Sequence, residues 1–280
     1  MKLLTVGNPK IAKGEKLGYL TAILHLAPHK LSGYNTCPMA TAGCSSACLN
    51  TAGRGGMVKI GETTNYIQIA RIRKTRMFFE NRDAFMCQLV NEVANFVKLA
   101  EKYELIPAVR LNGTSDIRWE VYPVTIDGIL YPNIMSAFSN VQFYDYTKIP
   151  NRRHLPSNYH LTFSLADGNE CYAEKAIDNG LNIAVVFRKG GPRVKVVKSL
   201  EEKLADRAKR ESRKGMPKVK RPSRPRKVDL TWLPNSYMGL SVFYGDTTDL
   251  RFLDPRGSVI ALVAKGEAKY DTTGFVKDVV

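Results

Sequence analysis

The chain has 280 residues, 44% of them hydrophobic, and a formal net charge of +16 at neutral pH. That length and composition predict one large core, as a single domain or a domain with an insertion. No apolar run approaches the roughly 20 residues that span a bilayer, the first residues read as no secretory signal, and an odd count of five cysteines argues against a disulfide framework. A soluble protein of a reducing, intracellular compartment is expected.

In chain order, residues 19–27 form the first apolar, strand-like run. Directly after it comes a loop holding Cys37, Cys44 and Cys48, spaced Cys-x6-Cys-x3-Cys among small residues, before the turn Gly53-Arg-Gly-Gly56. Thiolates are the soft ligands of zinc and iron–sulfur centres, and small neighbours let backbone close around a bulky inorganic group. Three ordinary buried thiols are the plainer reading, but their crowding into twelve residues favours a metal. A closed zinc site needs a fourth ligand, for which His25, His29 and Cys171 are the candidates. A [4Fe–4S] cluster held by three thiolates needs none, and the spacing is not that of a zinc ribbon, so an iron–sulfur cluster is favoured over zinc. His25 and His29 flank the loop and could bind or shuttle protons; a histidine on an apolar strand more often is a satisfied core residue.

Helices are predicted over residues 61–80, with a basic face of Arg71, Arg73, Lys74 and Arg76, and over 83–103. The second carries Phe85, Met86, Leu89, Val90, Val93, Phe96, Val97 and Ala100 at helical spacing; Cys87 within it reads as filler. Apolar, β-rich runs follow at 106–111, 141–144, 159–165, 183–187, 238–244 and 259–264, each ending in polar residues. Buried strands separated by helical or irregular stretches predict a parallel sheet, and their number suggests a (β/α)8 TIM-like barrel, regular or irregular. On this reading residues 1–187 and 228–280 form one barrel domain with the cysteine loop near its start, and 188–227 are a basic insertion.

That insertion holds 17 Lys and Arg against four acids, so 13 of the 16 net charges lie in one segment. Ser199-Leu-Glu-Glu202 is a capping box opening a charged helix to about Lys214. An extended Pro/Arg stretch with Lys218, Lys220, Arg221, Arg224 and Arg226 comes after it. Charge so concentrated points to nucleic acid, bound through counterion release; the plainer alternative is a solvated linker.

In a barrel, chemistry sits where strands end. Asn112, Asp116, Asp145, Lys148, Asp167, Asp246 and Asp249 occupy such positions. Any one aspartate alone is more readily a turn former or helix cap; the inference rests on convergence from separate strands. There is no Walker loop, no dinucleotide-binding Gly-x-Gly-x-x-Gly after a strand and no His-Glu-x-x-His helix.

Asn8-Pro-Lys10, Leu24-His-Leu-Ala-Pro28, the cysteine loop with Asn50-Thr-Ala-Gly-Arg54, Arg110-Leu-Asn-Gly-Thr-Ser-Asp116, Phe143-Tyr-Asp-Tyr-Thr-Lys148 and Asp249-Leu-Arg-Phe-Leu-Asp-Pro-Arg256 together resemble an uncharacterised bacteriophage-encoded family. The layout is also similar to the transglycosylases that exchange guanine for a 7-deazaguanine, including the phage DNA-modifying kind, relatives of the tRNA-guanine enzymes. That likeness implies a phage enzyme of the host cytoplasm that modifies DNA, with a purine-like small substrate and a flipped target base. Asp246 would be the nucleophile and Asp116 the acid/base, with Asp145, Asn112, Lys148 and Asp167 binding substrate. The likeness departs in its metal site, which in the tRNA enzymes is a late Cys-x-Cys-x-x-Cys. Radical-SAM-like iron–sulfur enzymes place three cysteines after the first strand, as here, although with a different spacing; that is the alternative enzyme. A non-catalytic DNA-binding protein with a structural metal is the third reading.

Overall fold

The main strand runs are almost continuously apolar, as strands buried on both faces of a parallel sheet are, and successive side chains go to opposite faces of the sheet. The computed structural model describes residues 1–6, 14–58, 62–195, 199–212 and 229–279. Strand β1 (Leu4–Val6) pairs antiparallel with β2 (Tyr19–Leu24). The short helix α1 (Ala42–Ser46) lies inside the cysteine loop, and α2 (Tyr66–Glu80) and α3 (Arg82–Lys102) lead to β3 (Ile106–Arg110). A hairpin of β4 (Val124–Ile126) and β5 (Ile129–Tyr131), then the turn α4 (Ile134–Ala137), precede β6 (Gln142–Thr147). Next come β7 (Tyr159–Ser164), α5 (Glu170–Asp178), β8 (Asn182–Lys189) and α6 (Leu200–Glu211). The chain ends with β9 (Ser236–Tyr237), β10 (Leu240–Tyr244), β11 (Ser258–Val263) and β12 (Val276–Val279).

Ten of these strands form one sheet in the order β1-β2-β3-β6-β7-β8-β11-β10-β9, with β12 also on β8. From β2 through β10 every neighbouring pair is parallel. The expected closed (β/α)8 barrel is not formed: among the described residues no strand joins the β1 edge to the β9 edge. Both edges end in short antiparallel strands, of three and two residues, which terminate a sheet rather than close it. The regular alternation of strand and helix also lapses, since β6 runs to β7 and β10 to β11 without an α-helix.

One face of the sheet is covered by helices. Leu20, Leu24, Val109 and Phe143 pack there against Phe78, Phe85, Leu89, Val93 and Phe96 of α2 and α3, all buried. The predicted apolar positions of α3 are its buried ones, and Asn81 caps it by accepting from the Ala84 amide at 3.3 Å. A fully buried side chain of that size contributes about 1.5–3 kcal/mol, so this layer is the main support of the fold. The opposite face carries Tyr19, Ala108, Tyr144 and, further along, Arg110, Tyr146, Ser164, Val186 and Leu262. Residues after β10 fold across part of it, placing Leu250 and Phe252 on Tyr144, Ala108 and Tyr19.

Strand β8 pairs with β11 over residues 183–187 along one edge. Its other edge is shared: β7 pairs with 182–184 and β12 with 186–189. β7 and β8 therefore part toward their C-terminal ends, where β12 takes the place of β7 beside β8. No helix among the described residues is long and apolar enough to cross a membrane.

Candidate functional site

Parallel strands bring their following loops to one end, and a cavity of about 220 Å³ opens there over the face opposite α2 and α3. Its floor is the far end of that face: Arg110, Tyr146, Ser164, Val186 and Leu262. Its walls come from loops after β2, β3, β6, β10 and β11, and they include Cys37, Cys44 and Cys48 together with Asp116, Lys148, Asp246 and Asp249. The three clustered thiols thus face one cavity, whereas Cys87 and Cys171 are exposed on α3 and α5.

The cysteine loop is braced from several sides. Thr36 donates its hydroxyl to the Ala27 carbonyl at 2.7 Å and its amide to the His29 carbonyl at 3.1 Å. His29 sits at φ +47° and turns its own amide to the Cys37 sulfur at 3.4 Å. The Asn50 amide, near the Cys48 sulfur, works to lower that thiol's pKa against burial. At the start of α1, Asp167 accepts from the Thr41 hydroxyl and, at 3.0 Å, from the Gly43 amide. Gly43 is a glycine for a steric reason, because a Cβ there would stand 2.0 Å from Thr273 Oγ1 and 2.6 Å from Asp167 Oδ1.

Burial pushes the Cys37 thiol up and the Cys48 thiol up to about 11. Both are protonated at neutral pH, which makes them poor nucleophiles; a bound metal would take each as thiolate. Among the described residues, no three His, Cys, Asp or Glu side chains stand in metal-holding geometry as placed, so ligation requires the thiols to turn toward a common point. Their donor chemistry fits an iron–sulfur centre: soft sulfurs, one of them receiving a backbone N–H bond of the kind that tunes such clusters, among loop residues too small to obstruct it. Of the fourth-ligand candidates for zinc, none lines the cavity. His25 is half-buried and held neutral, its pKa lowered to about 3 by desolvation and by Arg71, Arg110 and Lys74.

The two aspartates assigned to catalysis both line the cavity. Asp116 accepts the Lys148 amide at 2.7 Å and has Arg152 at 3.9 Å; burial nonetheless pushes its carboxyl above the usual range. Asp246 accepts the Val263 amide at 3.1 Å and pairs with Lys265. Lys148 donates to Ser164 Oγ at 2.9 Å, and Arg110 pairs with Asp249 at 3.0 Å beneath a cation–π contact with Tyr146.

The other expected substrate groups divide. Lys148 and Asn112 line the cavity, but Asp145 and Asp167 do not. Asp145 is fully buried and braces the preceding loop: it accepts the Asn112 amide at 2.6 Å and the Tyr159 hydroxyl at 2.9 Å, and burial raises its pKa to about 7. Asn112 organises the same loop, its Oδ1 accepting from Ser115, Ile117 and Trp119. Together they deliver Asp116 to the wall. Lys218, Lys220, Arg221, Arg224 and Arg226 lie outside the described residues. Missed from sequence were Arg110, Ser164 and Lys265, each of which ends or directly follows a strand.

The chain matches one protein-family model, that of Gene product 88, over residues 2–279. No curated protein and no solved structure matches it.

Proposed function

The chain belongs to the Gene product 88 family, and we propose that it is an iron–sulfur enzyme of radical-SAM-like type whose cavity holds cluster and substrate together. The observation that carries this reading is the convergence of Cys37, Cys44 and Cys48 on one cavity at the C-terminal end of an open parallel sheet. When bound, a [4Fe–4S] centre on three thiolates supplies one electron and an open coordination site. The chain's own residues would then do the rest. Cys37, Cys44 and Cys48 would hold the centre, with the His29 amide stabilising the Cys37 thiolate. Arg110, Asp116 and Lys148 offer charges of both signs for orienting a zwitterionic ligand such as S-adenosylmethionine. Apolar wall residues such as Leu262, Val263 and Phe275 keep water from the reacting groups.

The test is spectroscopic. Anaerobically reconstituted protein should be brown, and the EPR signal of its reduced cluster should change on adding S-adenosylmethionine. A signal indifferent to that ligand would contradict the reading.

One observation favours a second reading. Asp116 and Asp246 reach the same cavity from loops of different strands, as a pair of carboxylates exchanging guanine for a 7-deazaguanine would need, with Asp246 attacking the sugar C1′ and Asp116 passing the proton. Asp145, buried beneath the loop, would take no part in recognising the purine. Mass spectrometry of nucleosides from cells expressing the protein separates the two, since only base exchange leaves a deazaguanine nucleoside.

A further inference from the structure

The cavity has one rim that is built differently from the rest. β8 ends at Lys189, three residues beyond Val186 on the cavity floor. Arg188 of that strand is buried and spends its guanidinium on the turn that follows β11. Its Nη1 donates to the carbonyls of Ala268 at 3.4 Å, Lys269 at 3.1 Å and Asp271 at 3.0 Å, and its Nε to Asp278 at 2.6 Å. The Arg193 amide then donates to the Lys269 carbonyl at 3.0 Å. Residues 190–195 are thereby strapped onto the turn 266–270, whose Ala268, with the preceding Lys265, lines the cavity. Arg193, Lys195 and Lys265 are all exposed.

Carboxylates are present too. Glu267 pairs with Lys195 at 2.7 Å, Asp229 with Lys189 at 3.4 Å, and Asp246 with Lys265. They offset part of the charge, yet the strap opens the segment 188–227 that carries 13 of the 16 net charges. A segment kept only for solubility has no need to start at the mouth of the cavity with its backbone bonded to the rim.

We propose that this rim, built on Arg193, Lys195 and Lys265, is a docking strip for the phosphodiester backbone of a nucleic-acid strand whose nucleotide is presented to the cavity. The inference rests on the cavity being the enzyme's reaction site and names the substrate class of that site. A base stacked and paired in a duplex cannot enter a cavity walled by five loops, so the strand is single or its target is taken out of the stack.

The test is fluorescence anisotropy of labelled single-stranded DNA and, in a second arm, RNA, titrated with the full chain at three salt concentrations. The comparison is R193Q/K195Q, whose side chains are exposed. Losing two phosphate contacts should flatten the plot of log affinity against log salt by about 1.4 and weaken binding at least roughly tenfold in 0.1 M salt. Whichever arm binds more tightly identifies the natural strand. An R193Q/K195Q protein with the affinity and slope of wild type in both arms overturns the proposal, as does wild type that binds neither. The triple variant C37A/C44A/C48A should bind the oligonucleotides like wild type, and R193Q/K195Q should load iron like wild type, so failure of the rim and failure of the metal centre are told apart.

Discussion

In the fold His25 is half-buried beside Arg71, Arg110 and Lys74, with Asp249 acting the other way, whereas its place beside the cysteine loop reads as that of a ligand or proton shuttle. Its pKa falls to about 3 from the ordinary 6.5. The folded pKa lies below the unfolded one, so the neutral ring contributes stability that is present above pH 6.5 and is lost as pH falls toward 3. Denaturant titrations between pH 7 and pH 4 should show wild type losing stability on acidification and H25N losing less, by up to about 1.4 kcal/mol per pH unit. Parallel curves would show that His25 is not the titrating group. Asp145 carries a related lesson. It shares the parity of Phe143 on β6, which packs under the helices, whereas Tyr144 and Tyr146 take the other face. Strand periodicity therefore held the signal that Asp145 is a brace, but a carboxylate at a strand end is equally what a substrate site would show.

Elements were legible where their pattern is local. The buried stripe of α3 follows from helical periodicity and seven of the sheet's strands from their apolar runs, because each depends on a face hidden by its own neighbours. What could not be read was pairing between distant segments. β1, β9 and β12 are two to four residues long, too short to show a period. Yet β1 and β9 set the edges of the sheet, and β12 marks the parting of β7 and β8. The cysteine loop was legible as a cluster, though not its anchoring to Asp167 and Thr273 across more than a hundred residues. That anchoring makes α1 the sensitive element. In G43A the new methyl collides with Thr273 and Asp167, overpacking that costs about 1–3 kcal/mol and displaces Cys44 beside it. The variant should fold with reduced stability in a melt and bind less iron on reconstitution; full iron loading would mean that the loop tolerates movement.

At the scale of the molecule, the protein is an open parallel sheet, helices on one face, with its chemistry gathered at the strand ends of the other. Five loops that sequence separates by more than two hundred residues meet at one cavity, and the cysteines supply its softest donors. The basic segment leaves from the same end, so recognition and reaction would share one side of the fold. All of this depends on the three cysteines acting as a metal-holding set, and on Cys87 and Cys171 standing apart from it. Iron and acid-labile sulfide per chain, measured after anaerobic reconstitution of wild type and the five single Cys→Ala variants, tests that most directly. The account predicts that C37A, C44A and C48A each lose the cluster while C87A and C171A retain it. Wild type that binds no iron, or loss spread evenly over all five variants, would contradict it.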